Sequence, residues 1–140
     1  MMAQQKKDLQ PVKKAQQGNK IHIKRGDLVL IDFGDKKHVQ GSEQHGIRPA
    51  IIIQNDVGNK FSPTTIVVPI TKSKTKKLLP THVHIEKSYL AEMGHAHNSI
   101  ALLEQVKTVD KGRIVKHLGK QLKPSKLKEI DKALLVSIGL

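Results

Sequence analysis

Cysteine is absent from the chain, and so is tryptophan. Without thiols there can be no disulfide, no thiolate zinc site and no cysteine nucleophile, so any chemistry falls to other groups. Aromatic residues stop at Phe33, Phe61 and Tyr89. That disfavours modules that read single-stranded RNA by stacking bases on aromatic platforms, and leaves phosphate contacts and hydrogen bonds to carry more of any binding. No run approaches the roughly 18 to 20 continuous apolar residues of a membrane span. The opening "MMAQQKKDLQPVKKAQQGNK" has lysines with no apolar stretch behind them, which predicts no secretory signal and a cytoplasmic location.

Acidic residues are scarce as well: 12 Asp and Glu face 25 Lys and Arg, a formal charge of +13 over 140 residues. A chain so charged seeks polyanions, nucleic acid first and an acidic protein or anionic membrane surface behind it. The cations cluster. Residues 1–25 hold seven basic side chains and one acid, residues 107–132 hold nine and three, and Lys72, Lys74, Lys76 and Lys77 crowd into "TKSKTKK". The length suits one domain with a real core. Residues 1–20, rich in Gln and Lys, read as a flexible basic arm, and residues 21–140 as the domain.

From residue 21 the pattern becomes short runs rich in Ile and Val, separated by Gly and Pro. "DLVLIDF" (27–33), "AIIIQN" (50–55), "TTIVVPI" (64–70), "THVHIEK" (81–87) and "SIALLEQVKT" (99–108) are strand candidates, with 116–119 a short sixth. The spacing leaves no room for helices to cross between successive strands, so the expectation is a mainly β fold with helices (α+β): a small, strongly curved antiparallel barrel. Leu127, Ile130, Ala133, Leu134 and Ile138 recur at helical spacing, predicting a terminal helix over 125–138 that is capped by Ser125 and packs its apolar face on the barrel.

Residues 41–56, "GSEQHGIRPAIIIQND", place a charge at the mouth of a strand that asks to be buried. Pro49 pushes Arg48 toward extended backbone, so the sheet holds the main chain while the guanidinium reaches outward. A strand-end arginine is most often a surface ion-pair partner. Here Ser42, Glu43, Gln44 and His45 supply hydroxyl, carboxylate, amide and imidazole just before it. In "VVPITKS", Thr71 ends a strand, where threonine is usually only a β-former. It matters if the adjoining strand sets it beside Arg48. An imidazole suits proton transfer or phosphate binding, which makes His45 a candidate for either, with a solvent-facing spacer as its plainer reading. His82 and His84 share a strand face and His95 and His97 form a second pair, but two ligands do not close a metal site, and surface or turn histidines are favoured. Ser42, Gln44, Asn55, Ser99, Glu104 and Gln105 can hydrogen-bond base edges, and Lys72 suits a backbone phosphate. Each also fits a cap, a turn or a solvated loop.

Five ordered blocks, "IKRGDLVLIDF", "GSEQHGIRPAIIIQND", "FSPTTIVVPIT", "LPTHVHIEK" and "SIALLEQVKTVDKGRI", resemble the MazF and PemK toxins, the ribonuclease components of bacterial toxin-antitoxin pairs, in the branch found in Gram-positive bacteria. The resemblance runs from about residue 21 to the C-terminus. It implies an SH3-like barrel, a homodimer, an acidic antitoxin partner, and cleavage of single-stranded RNA at short sequences with no metal or other cofactor. By position it makes Arg48 and Thr71 the main catalytic pair, with Glu43 a weaker acid/base participant. The substrate's own 2′-hydroxyl would attack phosphorus and leave a 2′,3′-cyclic phosphate and a 5′-hydroxyl. A forked, permanently charged arginine suits the charge that gathers on the phosphoryl oxygens, but is a poor general base. The base stays open between Glu43 and the substrate's surroundings.

Two features depart from the family pattern: the N-terminal arm, and "GDKKHVQ", which lengthens the loop before the "GSEQ" block. Two rival readings keep the charge and the strands: a non-catalytic basic barrel that binds nucleic acid, and a module that binds only an acidic protein. Neither needs Arg48 and Thr71 together.

Overall fold

A computed structural model of the chain describes residues 21–35, 37, 40–41, 43–72, 77–93 and 98–140. The arm over 1–20 and the pair His95 and His97 lie outside them. Seven strands form one bent antiparallel sheet: β1 (Asp27–Asp32), β2 (Ile47–Ile52), β3 (Thr64–Lys72), β4 (His82–Ile85), β5 (Ser99–Leu102), β6 (Lys107–Asp110) and β7 (Ile114–Gln121). Their order is β4-β5-β3-β2-β1-β7, with β6 also on β3. Among the described residues two α-helices accompany them, α1 (Asp56–Phe61) and α2 (Pro124–Ser137).

The unbroken hydrophobicity of "AIII" has a simple cause: the central strands are covered on both faces. One core cluster takes Leu28, Ile51, Val68 and Ile70 under Ile130 and Ala133 of α2. The other takes Val29, Ile31, Phe33, Ala50, Ile52 and Val67 from the opposite face. Alternate side chains thus enter different cores, and neither face of β1, β2 or β3 needs polar residues.

Several element boundaries differ from the sequence reading. The strand expected over 99–108 is cut by a 3-10 turn at Leu103–Gln105 into β5 and β6, which pair with different halves of β3. The expected strand 81–87 shortens to β4, and the short 116–119 strand grows into β7. Helix α2 starts at Pro124 after an N-cap at Lys123 that makes no side-chain cap, so Ser125 is inside the first turn and does not cap it. Helix α1 is new. Asn55 caps it by accepting from the Gly58 N–H at 2.8 Å, and its buried Asn59 accepts from the Thr65 hydroxyl at 2.8 Å. A Cβ on Gly58 would stand 2.9 Å from the amide end of the Gln54 side chain, which would have to shift to admit it.

Candidate active site

The loop between β1 and β2 is pinched at its neck. Gly46 donates its N–H to the Gly34 carbonyl at 2.7 Å and accepts from the Phe33 N–H at 2.9 Å. Both glycines have positive φ, +97° at Gly34 and +76° at Gly46, a backbone that side chains disfavour. Arg48 follows at once, half-buried, paired with Ile31 of β1. Its Nε–H donates to the His45 carbonyl at 2.8 Å, so the loop aims the guanidinium.

Register brings Thr71 to it. Strands β2 and β3 pair Ile52 with Val67, Ile51 with Val68 and Ala50 with Pro69, and there the ladder ends. Continued two residues further along each strand, the same register puts position 48 opposite position 71, with Arg48 and Thr71 on the face that carries Ala50 and Ile52. The reason for the lapse is chemical. Ile53 donates to Ile66 across these strands at 2.9 Å, and alternation makes position 49 the next-but-one donor toward β3. That position is a proline, with no N–H for Ile70. The strands part, with Arg48 and Thr71 at the opening. Thr71 is held from its other side by pairing with Ile100 of β5.

The same face opens into a groove of about 510 Å³, lined by Phe33, Glu43, Gln44, Pro69, Glu104 and Gln105, with Lys107 at its wall. Pro69 differs from Pro49 in its cost. Its nitrogen faces the edge where β3 changes partner, between β6 pairing that ends at Val67 and β5 pairing that begins at Ile70, so no ladder bond is lost. The 3-10 turn fills that gap and carries Glu104 and Gln105 into the groove.

Four of the candidates from the sequence therefore line one groove beside the Arg48–Thr71 opening. Glu43 is exposed and accepts from the Gln40 N–H at 2.6 Å. His45 contributes its carbonyl to Arg48. Lys72 is exposed at the end of β3. Ser99 pairs with Lys72, one position out of phase with Thr71, and so faces the opposite side, where its hydroxyl is buried without a hydrogen-bond partner among the described residues. Asn55 lies beyond the far end of β2, a strand of six residues that spans about 20 Å. Its side chain is occupied in capping α1. Ser42 lies outside the described residues.

Glu104 is the most constrained of the groove side chains. Its Oε1 accepts from the Thr81 hydroxyl at 2.9 Å, and its Oε2 lies 3.1 Å from His82 Nε2. Partial burial pushes the carboxyl up, but its own backbone N–H, Thr81 and His82 more than offset this and hold it below its ordinary value. Thr81 and His82 were not among the site candidates. The His-x-His spacing drew attention to His82 as a metal ligand, whereas its partner stands in another strand connection. His84 lies 3.4 Å from Glu86 instead. Among the described residues no group of three His, Asp or Glu gathers as a metal site would need. A second cavity of about 650 Å³ lies at the base of α2, beside Tyr89, Lys120 and Lys126, and holds none of the candidates.

Comparison with known proteins speaks to the family and the fold. Residues 24–138 match the family model described as PemK-like, MazF-like toxin of type II toxin-antitoxin system. A protein named Endoribonuclease MazF from Staphylococcus saprophyticus is 49% identical over 119 residues, which cover 84% of this chain and 92% of that one. Among solved structures, MazF from Deinococcus radiodurans superposes with a TM-score of 0.65 at 21% identity, over 86% of this chain and 99% of that one. An endoribonuclease from Mycobacterial species, solved with its cognate antitoxin, superposes at 0.63 and 21% identity, over 84% and 96% of the two chains. At such identities the two structures speak for the fold.

Proposed function

The chain belongs to the PemK-like, MazF-like toxins of type II toxin-antitoxin systems, and we propose that as an endoribonuclease it cuts single-stranded RNA at the opening between Arg48 and Thr71. The observation that carries this reading is the register of β2 and β3, which sets those two side chains level just where Pro49 ends the ladder.

The substrate supplies its own nucleophile. The 2′-oxygen forms a bond to phosphorus as the bond from phosphorus to the 5′-oxygen breaks, giving a 2′,3′-cyclic phosphate and a 5′-hydroxyl. One proton leaves the 2′-hydroxyl and one is gained by the departing 5′-oxygen. Negative charge grows on the phosphoryl oxygens between these events. The Arg48 guanidinium, aimed by the His45 carbonyl, still presents its terminal N–H groups and neutralises that charge through paired hydrogen bonds. The Thr71 hydroxyl holds a phosphoryl oxygen. Glu43, a carboxylate on the groove wall, is the group of this chain suited to take the 2′ proton. Nothing in these steps calls on a metal.

The +13 charge supports capture of RNA and of an acidic antitoxin that covers the groove in the cytoplasm. Leu135, Val136, Ile138 and Leu140, exposed at the end of α2, support assembly as a homodimer.

The test is cleavage of a long RNA in EDTA by the parent, Arg48→Ala and Thr71→Val. Cleavage by the parent that both substitutions reduce by two orders of magnitude or more is expected. Intact RNA from the parent would sink the nuclease, and full activity in Arg48→Ala would sink the assignment. The rival of a binding-only basic barrel predicts RNA retained but uncut.

A further inference from the structure

Glu104 of the groove wall belongs to a cluster that the cleavage step does not use, with Thr81 and His82 behind it. In a chain with this excess of cations, a carboxylate held ionised where RNA must lie would repel phosphate. Its presence calls for a different partner, a group that donates hydrogen bonds.

His82 decides how that carboxylate is presented. The Leu79 N–H donates to His82 Nδ1 at 3.2 Å, and the His82 N–H returns to the Leu79 carbonyl at 2.9 Å. An amide N–H can only donate, so Nδ1 is the acceptor and the neutral ring carries its proton on Nε2. That N–H points at Glu104 Oε2, 3.1 Å away. The imidazole is largely buried, with 12% of its side chain exposed, while Glu104 keeps 39%. The ring therefore holds one oxygen and Thr81 the other, on a carboxylate that lines the groove and keeps its remaining acceptor capacity.

We propose that His82 is a positioning residue for Glu104, holding that carboxylate as the acceptor for the exocyclic amino group of an RNA base and so setting part of the cleavage sequence. The inference rests on the nuclease reading above. An ionised carboxylate accepts and never donates, so it suits the amino-bearing edges of adenine, cytosine or guanine, and not the edge of uracil, where carbonyls flank the single N–H.

Two substitutions separate positioning from mere packing. The oxygen of Asn reaches about as far as Nδ1 and keeps the Leu79 contact, while the amide of Gln reaches about as far as Nε2 and keeps the donor to Glu104. Purified parent, His82→Asn, His82→Gln and Glu104→Gln are each given a mixed-sequence RNA, and the new 5′ ends are mapped. Kinetics follow on the preferred site and on a copy with uracil at the amino-bearing position. His82→Gln should keep the parent's preference. His82→Asn and Glu104→Gln should each lose about tenfold of it, through a raised KM with kcat largely kept. An unchanged preference in His82→Asn, or in Glu104→Gln, overturns the proposal. A parent that leaves RNA intact sinks the nuclease reading, and this proposal with it. Proton–nitrogen NMR on the unsubstituted protein gives an independent check, because a ring protonated on Nδ1 and bare on Nε2 would also overturn it.

Discussion

The Arg48 Nε–H donates to the main-chain carbonyl of His45, three residues upstream, at 2.8 Å. One edge of the guanidinium is thereby spent on orientation, and the other edge is left for the substrate. Lysine at this position has neither the planar fork nor an Nε to aim it. Arg48→Lys is therefore expected to lower kcat by about 10²-fold or more while the protein keeps its melting temperature, read by single-turnover cleavage of a short RNA. Near-parental turnover would mean that charge alone is enough.

Because the contact runs to the His45 backbone, the imidazole itself is dispensable for aiming Arg48. His45→Ala is expected to keep the cleavage rate within about threefold and to leave its pH dependence unchanged. A flattened pH–rate profile would instead give the ring a part in proton transfer.

Acid should unfold the protein through identifiable carboxyls. The Arg25 backbone N–H and the Asn59 side chain hold Asp56 below its ordinary value. Burial pushes Glu86 up, but Lys126 at 3.0 Å more than offsets this and leaves it lowered. Such groups bind protons more weakly folded than unfolded, so their stabilisation is complete above the unfolded value of about 4 and is lost as pH falls through the lower native one. Lys126 itself is opposite in sign. Burial would lower it, Glu86 and Glu129 outweigh the burial and raise it, and its share persists until strong base. Melting temperatures between pH 6 and 3 should therefore fall steeply for the parent and less steeply for Glu86→Gln. Equal slopes would remove Glu86 from the account.

Ile130 is fully buried where α2 meets the larger core cluster. Ile130→Ala should cost about 3 kcal/mol and lower the melting temperature by roughly 10 °C. Val57→Ala on α1, where the side chain is 72% exposed, should change stability by less than about 0.5 kcal/mol. Comparable losses in both would argue against α2 as the lid of the core.

What could be read from the sequence was whatever neighbouring residues decide among themselves. Strand runs and the amphipathic stretch after Pro124 follow local pattern, whereas the linking of Arg48 with Thr71 came from the family resemblance and not from any local signal. What escaped was set across the fold. The break at Leu103–Gln105 is invisible in "SIALLEQVKT", because it arises from β3 trading one neighbour for another. Asn55 looked available to a base and is engaged by a helix that a six-residue segment with a central glycine barely advertises. Ser99 fell on the wrong side by one position of strand phase. His82 and Glu104 are 22 residues apart, and no periodicity links them.

Two missing amide hydrogens have the last effect. At Pro49 the covalent structure itself forbids the bond that would carry the β2–β3 ladder on past Ala50, and at Pro69 the missing hydrogen falls where β3 changes partner, so among the described residues the opening is set by the main chain. Whatever rotamers the neighbouring side chains adopt, that gap in the ladder stays, because no rotation can restore an amide hydrogen that the covalent structure lacks.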